Sequence, residues 1–339
     1  MKNILLYTMT LNYGGAEKNI CALANYLSEF YNVILVSNIK SKKAFKLKSN
    51  IKVYQFDNFD SGHKKLKAKI SKKRTKQLKS IILNEQVNTV IAFLPEPSIR
   101  ALQLKKELNI KVIVSVRNNP KYEFKYCKFM RNYYYKMADK IVVQDETYKK
   151  FLPCNEKCIV VPNFLEKINI SPNLKKENYI INVGRLEKNK NQKLLIKAYS
   201  LISTDLKLYI YGEGSLKNKL LKLIKKLNLE GKVIIKPYDS NIYEKIAKAK
   251  LFVLSSLYEG MPNVVLESLV LKTKVVSTNN SPMIANLLPK EFVSQFNPYN
   301  LAKCIETALK SDKIVQFNYN NDDSKIMWKK IVEDDNDDE

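Results

Sequence analysis

An alternation running almost the whole length of this chain constrains its fold more than any other feature. Short apolar runs rich in β-branched residues are each followed by a segment with helical spacing. In the first half NILLYTM, NVILVSN, IKVYQF, TVIAFL, KVIVSVR and KIVVQD read as strands. Several are apolar on consecutive residues, the pattern of a strand covered on both faces of a parallel sheet. Helical segments such as AEKNICALANYLSEF and YCKFMRNYYYKMA stand between them. A polar stretch with two prolines, VPNFLEKINISPNLKKEN, interrupts the pattern, which restarts with YIINVGR, LKLYIYG, KVIIKPY, KLFVLSS and KVVSTN. Parallel strands need crossover helices, and such crossovers are right-handed. The expectation is an α/β protein of two open, doubly wound Rossmann-like domains, spanning 1–165 and 176–318. The remaining 319–339 holds SKIMWKKIVE, a short helix with the only tryptophan, and an acidic tail, EDDNDDE, expected to be solvated.

Several function classes are excluded early. No run of eighteen or more uncharged apolar residues occurs, and the start, MKNILLYTMTLNYGGAEK, has no small-residue cleavage site, so a cytoplasmic protein is expected. The five cysteines, Cys21, Cys127, Cys154, Cys158 and Cys304, are scattered, and His63 is the single histidine. That set lacks the second ligand pair of a metal site, and it lacks the partners of a Ser/His or Cys/His catalytic unit. The charge points the other way: 59 Lys and Arg against 33 Asp and Glu give +26, which attracts polyanions such as nucleic acid, an anionic membrane leaflet or phosphorylated substrates.

Glycine placement marks a cleft. Of eight glycines, all but Gly62 and Gly231 lie just after a strand candidate and just before a helical one. Ligands of open α/β sheets bind at those carboxyl ends, where glycine lets backbone approach a phosphate and the free N–H groups of the next helix point at it. Neither G-x-G-x-x-G nor G-x-x-x-x-G-K-[ST] is present, so neither a dinucleotide fingerprint nor a P-loop is read. In the second half the first such turn, NVGRLEKNKNQKLL, sets Arg185 and Lys190 beside a helix start, where cations oppose the helix dipole unless an anion sits between them. The stretch SSLYEGMPNVVLES places Glu259 in a turn and Glu267 inside a helix beginning near Pro262. Two carboxylates with seven residues between them in that arrangement suit the vicinal hydroxyls of a ribose or hexose, and Glu259 has a helix-capping role as its bland alternative.

With these residues in view, the chain resembles the retaining GT-B glycosyltransferases of family four, which build bacterial lipopolysaccharide, capsule and glycan intermediates. The resemblance covers both domains and rests on NYGGAEK at 12 to 18, VSVRNNP at 114 to 120, GRLEKNKN at 184 to 191, YGEGSLKNKL at 211 to 220 and YEGMPNVVLES at 258 to 268. The last matches the family's E-x7-E signature. The resemblance implies an interdomain active site and a final helix that crosses back to the first domain. It also implies donor contacts from Gly14, Gly15, Gly184, Arg185, Lys190, Gly212, Glu259, Gly260, Met261, Asn263, Val264 and Glu267. Within that set Arg185 and Lys190 hold the donor diphosphate, Glu259 orients the donor sugar and Glu267 holds the ribose hydroxyls, with Glu259, Arg185 and Lys190 the catalytic group. Arg117, Asn118 and Asn119 fall on the acceptor side, with Arg117 standing near where many members carry a histidine. After the strand at 274 to 278 the chain reads NNSPMIANLL, without the glycine and acidic residue that often follow there.

The implied reaction moves a hexose or N-acetylhexosamine from a UDP-sugar to a polyprenyl-diphosphate-linked or other glycan acceptor. Fixed cations and a helix N-terminus carry the charge of the leaving nucleotide, so no metal and no other cofactor is expected. Residues 64 to 79, KKLKAKISKKRTKQLK, hold nine basic residues and no acidic one, with Leu66, Ile70 and Leu78 for an apolar face. They read either as a helix lying on an anionic membrane, which would put the protein on the inner face of the cytoplasmic membrane, or as a solvated face. The rival readings are a nucleotide-sugar 2-epimerase of the same fold and a basic nucleic-acid-binding protein. The latter is disfavoured because no aromatic residue interleaves the basic cluster for stacking.

Overall fold

The structure, a computed structural model, describes residues 1–41, 45–57, 64–123, 125–165, 168, 170, 174–317 and 320–334, with the side chains of 64–68 left out. The chain divides into two compact units, Met1–Phe164 with Asn320–Glu339, and Leu165–Tyr319. His63, Gly62, Leu66 and the tail beyond Asp334 lie outside what is described, and with them the readings made of the histidine's surroundings, of Leu66 and of the acidic tail.

The first unit alternates β1 (Asn3–Thr8), α1 (Gly15–Leu27), β2 (Asn32–Ser37), β3 (Lys52–Gln55), α2 (Lys64–Asn84), β4 (Thr89–Phe93), α3 (Pro95–Leu108), β5 (Lys111–Ser115), α4 (Lys125–Tyr134), β6 (Lys140–Val143) and β7 (Cys158–Val160). Every pairing is parallel and the sheet order is β3-β2-β1-β4-β5-β6-β7. The consecutive apolar residues of β1 are explained by what covers them. Leu5 and Tyr7 belong to the core on one side of the sheet, with Leu78, Ile82 and Leu102, while Ile4 and Leu6 belong to the other, with Leu23, Leu27 and Phe93. Both faces of the strand are therefore buried, as the sequence pattern predicts.

The second unit repeats the plan with β8 (Glu177–Val183), α5 (Gln192–Tyr199), β9 (Lys207–Tyr211), α6 (Lys217–Lys226), β10 (Val233–Lys236), α7 (Ile242–Lys248), β11 (Ala249–Leu254), α8 (Asn263–Val270), β12 (Lys274–Thr278), α9 (Pro282–Leu287), β13 (Val293–Ser294) and α10 (Pro298–Lys310). Its sheet, again wholly parallel, runs β10-β9-β8-β11-β12-β13. Here too the strand faces divide, with Leu251 and Val253 in one layer and Phe252 and Leu254 in the other. Two doubly wound parallel sheets in sequence are the GT-B plan expected above. The edge strands β7 and β13, three and two residues long, are additions to the strands read from the sequence, being too short to show any period.

The last helix, α11 (Asn321–Glu333), belongs to the first unit. Trp328, wholly buried, lies in a stacked arrangement with Phe93, their centroids 6.3 Å apart. Ile331 and Val332 join the same core. Polar ties flank that core: Tyr31 donates to Glu333 Oε1 at 3.2 Å, and Lys140 pairs with Asp334 at 2.9 Å.

Candidate functional site

In both sheets the strand order reverses direction between two neighbours, and the loops leaving those neighbours diverge to open a crevice at their carboxyl ends. In the second sheet the two strands are β8 and β11. β8 is followed by Gly184 to Asn191, and β11 by Ser255 to Pro262. These are the turns that carry Arg185, Lys190 and Glu259, so the sheet topology itself brings together residues some seventy positions apart in the sequence.

The two loops are laced to one another. Lys190 Nζ donates to Glu259 Oε1 at 2.6 Å, and Ser256 Oγ donates to the same oxygen at 2.5 Å. Both members of the ion pair are largely removed from water, with side chains 20% and 13% exposed. Backbone ties hold the geometry: Leu257 N–H donates to Asn189 O at 2.7 Å, Ser255 Oγ to Lys190 O at 2.9 Å, and Glu259 N–H to Asn280 O at 3.1 Å. Lys190 sits in a short 3-10 turn that ends at Asn191, a left-handed residue opening α5. The counter-charge that the sequence reading required beside that helix start is supplied, in the folded chain, by Glu259. A pair in this setting keeps both charges because each is hydrogen-bonded as well as attracted, and removal of either would leave the other half-buried and unbalanced.

One glycine lets the turn close. Gly212 has φ +157°, and a Cβ there would stand 2.0 Å from the carbonyl oxygen of Gly184. Backbone cannot yield at that distance, so only glycine lets the end of β9 approach the end of β8. Gly184 in turn packs against the methylene stem of Lys190. Arg185 points elsewhere: its side chain is 59% exposed and pairs with Glu187 at 3.4 Å, while its carbonyl accepts from Gln192 Nε2 at 3.1 Å.

α8 begins at Asn263, with Pro262 at the position just before it and outside helical geometry, one residue later than the sequence start near Pro262. Met261 and Asn263 are buried, and Gly260 and Val264 are half-buried. Glu267 is buried in the middle of α8, where Tyr243 of α7 donates to its Oε1 at 3.4 Å. Across the ends of β9 and β10 lies a pocket of about 370 Å³ lined by Tyr211, Lys236, Tyr238, Asp239, Ser240 and Lys245. Burial, with the Asp239 carboxylate adding to it, pushes the Tyr211 phenol up, and Lys236 Nζ stands 4.4 Å from the Tyr209 ring centroid. Neither this pocket nor the Ser256 and Tyr243 hydrogen bonds were read from the sequence. The one signal for Ser256 was two serines ending an otherwise apolar strand.

The remaining sequence candidates lie in the first unit. Gly14 is extended and Gly15 opens α1, whose first turn carries Glu17, held by Thr10 Oγ1 at 3.0 Å. Arg117 is buried at the end of β5: its Nε donates to Ser115 Oγ at 2.7 Å, an NH donates to Asn163 Oδ1 at 2.5 Å, and its guanidinium carbon lies 4.6 Å from the Phe93 centroid and 5.6 Å from that of Trp328. Asn163 Oδ1 also accepts from Gln144 at 2.7 Å. Asn118 is exposed, whereas Asn119 is buried and caps the short turn at Pro120–Tyr122 by accepting from Lys121 N–H at 3.1 Å. Cys21 and Cys158 are buried thiols, and burial pushes that of Cys158 up to about 11. Among the described residues no three His, Cys, Asp or Glu side chains come together.

Residues 163–322 match the family model described as glycosyl transferases group 1. Over 338 residues, 93% of this chain and 92% of the relative, the sequence is 29% identical to the N-acetylgalactosamine-N,N'-diacetylbacillosaminyl-diphospho-undecaprenol 4-alpha-N-acetylgalactosaminyltransferase of Campylobacter jejuni. A second protein of that organism, the GalNAc-alpha-(1->4)-GalNAc-alpha-(1->3)-diNAcBac-PP-undecaprenol alpha-1,4-N-acetyl-D-galactosaminyltransferase, is 28% identical over 82% of this chain and 80% of its own. Among solved structures, sucrose-phosphate synthase from Thermosynechococcus elongatus superposes with a TM-score of 0.77 at 12% identity, covering 98% of each chain. Anabaena HepE in complex with UDP and glucose superposes with 0.70 at 15% identity, covering 92% of this chain and 90% of its own. The Lys190–Glu259 pair thus lies within the stretch that matches the glycosyl transferases group 1 model, carried on a GT-B fold.

Proposed function

We propose that the protein is a glycosyltransferase that moves a hexose or N-acetylhexosamine from a UDP-sugar to a polyprenyl-diphosphate-linked glycan, with retention of anomeric configuration, in the synthesis of a bacterial surface polysaccharide or glycan. The observation that carries this reading is the Lys190–Glu259 pair bridging the two diverging loops of the second sheet, inside the stretch that matches the glycosyl transferases group 1 model. The acceptor class is supported by the Campylobacter relatives, which are named for undecaprenol-diphosphate-linked substrates and align over most of this chain. UDP is supported by the HepE complex, whose fold this chain shares.

In this reading the bond between the sugar's anomeric carbon and the β-phosphate oxygen breaks while the acceptor hydroxyl oxygen bonds to that carbon from the same face. The hydroxyl proton passes to the departing phosphate, which leaves as UDP, so no enzymic base is consumed. Charge grows on the diphosphate as the bond breaks; Lys190 and the first N–H groups of α5 stabilise it from fixed positions, and Arg185 joins them by leaving its exposed pair with Glu187. Lys190 then serves two anions, Glu259 and the phosphate, and Glu259 gains the freedom to accept from donor-sugar hydroxyls. Glu267, fixed by Tyr243, takes the ribose hydroxyls, and the aromatic walls of the Tyr211 pocket suit a nucleobase. Neither a metal nor another cofactor has a step in this scheme, and activity should persist in a chelator. The protein would work peripherally on the inner face of the cytoplasmic membrane, where such acceptors lie, and it would bind no nucleic acid.

The test is thermal stabilisation in moderate salt by UDP, GDP, ADP, NAD and a short DNA duplex in parallel. A ligand at a hundredfold its dissociation constant stabilises a fold by about 2.7 kcal/mol, enough to read. Stabilisation by UDP is expected. A response to DNA with none to any nucleotide would overturn the reading.

A further inference from the structure

In the lysine-rich helix that the sequence offers for membrane contact, most of the described apolar side chains face inward. Ile70, Leu78 and Ile82 of α2 are buried, the last two in the core of the first unit. Among its described side chains the exposed ones are lysine, serine and asparagine, with a single apolar residue, Leu83, near the helix end.

A different helix carries the opposite pattern. Five exposed large apolar side chains stand between residues 122 and 137: Tyr122, Tyr126, Phe129, Tyr133 and Met137. Tyr126, Phe129 and Tyr133, at 72%, 68% and 63% exposure, fall at i, i+3 and i+7 on α4 and so share one face. α4 is anchored from behind by Arg131, wholly buried, which pairs with Glu123 at 2.8 Å and donates to the carbonyl of Phe151. Exposed Lys121, Lys125, Lys128 and Lys136 flank the aromatic face. Glu123, the one acidic residue of the stretch, is turned inward to Arg131.

We infer that this face of α4 is a docking surface for the interfacial layer of an anionic lipid bilayer. Tyrosine and phenylalanine sit favourably at headgroup depth, and lysines beside them reach anionic phosphates while their stems cover apolar surface. The face offers roughly 500 Å², taking typical aromatic areas. A stable protein partner needs about 800 Å² on each side. A bilayer imposes no such minimum and rewards the positive rim. No helix among the described residues is long and apolar enough to cross a membrane, so the contact is one of lying on the surface. The inference rests on the membrane part of the function proposed above and names the surface that performs it; vesicle binding is read without donor or acceptor, so its failure leaves the transfer chemistry standing.

The experiment is flotation of the full chain with phosphatidylcholine vesicles, with and without phosphatidylglycerol, for the wild type, for Tyr126→Ser/Phe129→Ser/Tyr133→Ser and for Lys125→Gln/Lys128→Gln/Lys136→Gln. All three proteins should melt together, because the altered side chains are exposed. The aromatic variant should lose on the order of tenfold or more in affinity for phosphatidylglycerol vesicles even though α2 keeps its lysines. The lysine variant should lose roughly a hundredfold at low salt and little at high salt. Wild-type flotation by the aromatic variant, or none by the wild type, would overturn the inference. So would a dimer in size-exclusion chromatography that the aromatic variant dissolves, since the face would then be a self-interface.

Discussion

Lys190 and Glu259 show what a sequence motif conveys and what it withholds. Each is visible as a charged residue in a glycine-containing turn, but their pairing at 2.6 Å is made by strand order, which no local pattern encodes. Glu259→Ala should lower turnover by about a hundredfold or more while leaving UDP affinity within a few-fold, if its task is orienting the sugar; steady-state kinetics beside a UDP titration would separate the two, and near-normal turnover would remove Glu259 from the site. Arg185→Ala should instead weaken UDP itself, because the exposed guanidinium gives up only its 3.4 Å pair with Glu187 to reach a diphosphate. Calorimetry reads that directly, and unchanged affinity would exclude the diphosphate role. At Gly212 the constraint is steric: alanine sets a methyl group 2.0 Å from the Gly184 carbonyl at φ +157°, so Gly212→Ala should lower the melting temperature and UDP binding together. Arg117 was legible only through resemblance. Its burial between Phe93 and Trp328 arises from contacts with the far end of the chain, which no reading of VSVRNNP contains.

At the scale of elements, the long parallel strands were legible because burial on both faces writes an unbroken apolar run, as in β1, β4 and β11. β7 and β13 were not, since two or three residues at a sheet edge leave no periodicity. α2 could be read as a helix but not for what its apolar positions face, because Ile70 and Leu78 look the same in sequence whether they meet a core or a lipid. α11 is held to the first unit chiefly by Trp328, which fills space against Phe93 and Arg117. Trp328→Ala should cost about 3–5 kcal/mol of first-unit stability, the usual range for an aromatic removed from a core. Hydrogen exchange over 321–333 should rise with it, whereas protection at wild-type levels would mean that the flanking ion pairs, not the indole, secure the helix.

For the whole molecule, the charge of +26 admitted nucleic acid, membrane and phosphorylated substrates alike, and composition had no means of choosing among them. The proposed reading rests instead on where charge is fixed: a largely buried lysine–glutamate pair at a strand-order reversal in the second unit, and an aromatic face rimmed by lysine on α4 of the first. The central claim is acceptor-dependent transfer of a sugar from a UDP-sugar. The most direct measurement is release of free UDP from UDP-N-acetylhexosamines and UDP-hexoses by the purified protein, with and without a polyprenyl-diphosphate-linked glycan. The account predicts release with one of these donors only when the acceptor is present, unaffected by a chelator and lost in Glu259→Ala. Release without acceptor, accompanied by a sugar inverted at its second carbon, would make the protein an epimerase and contradict it.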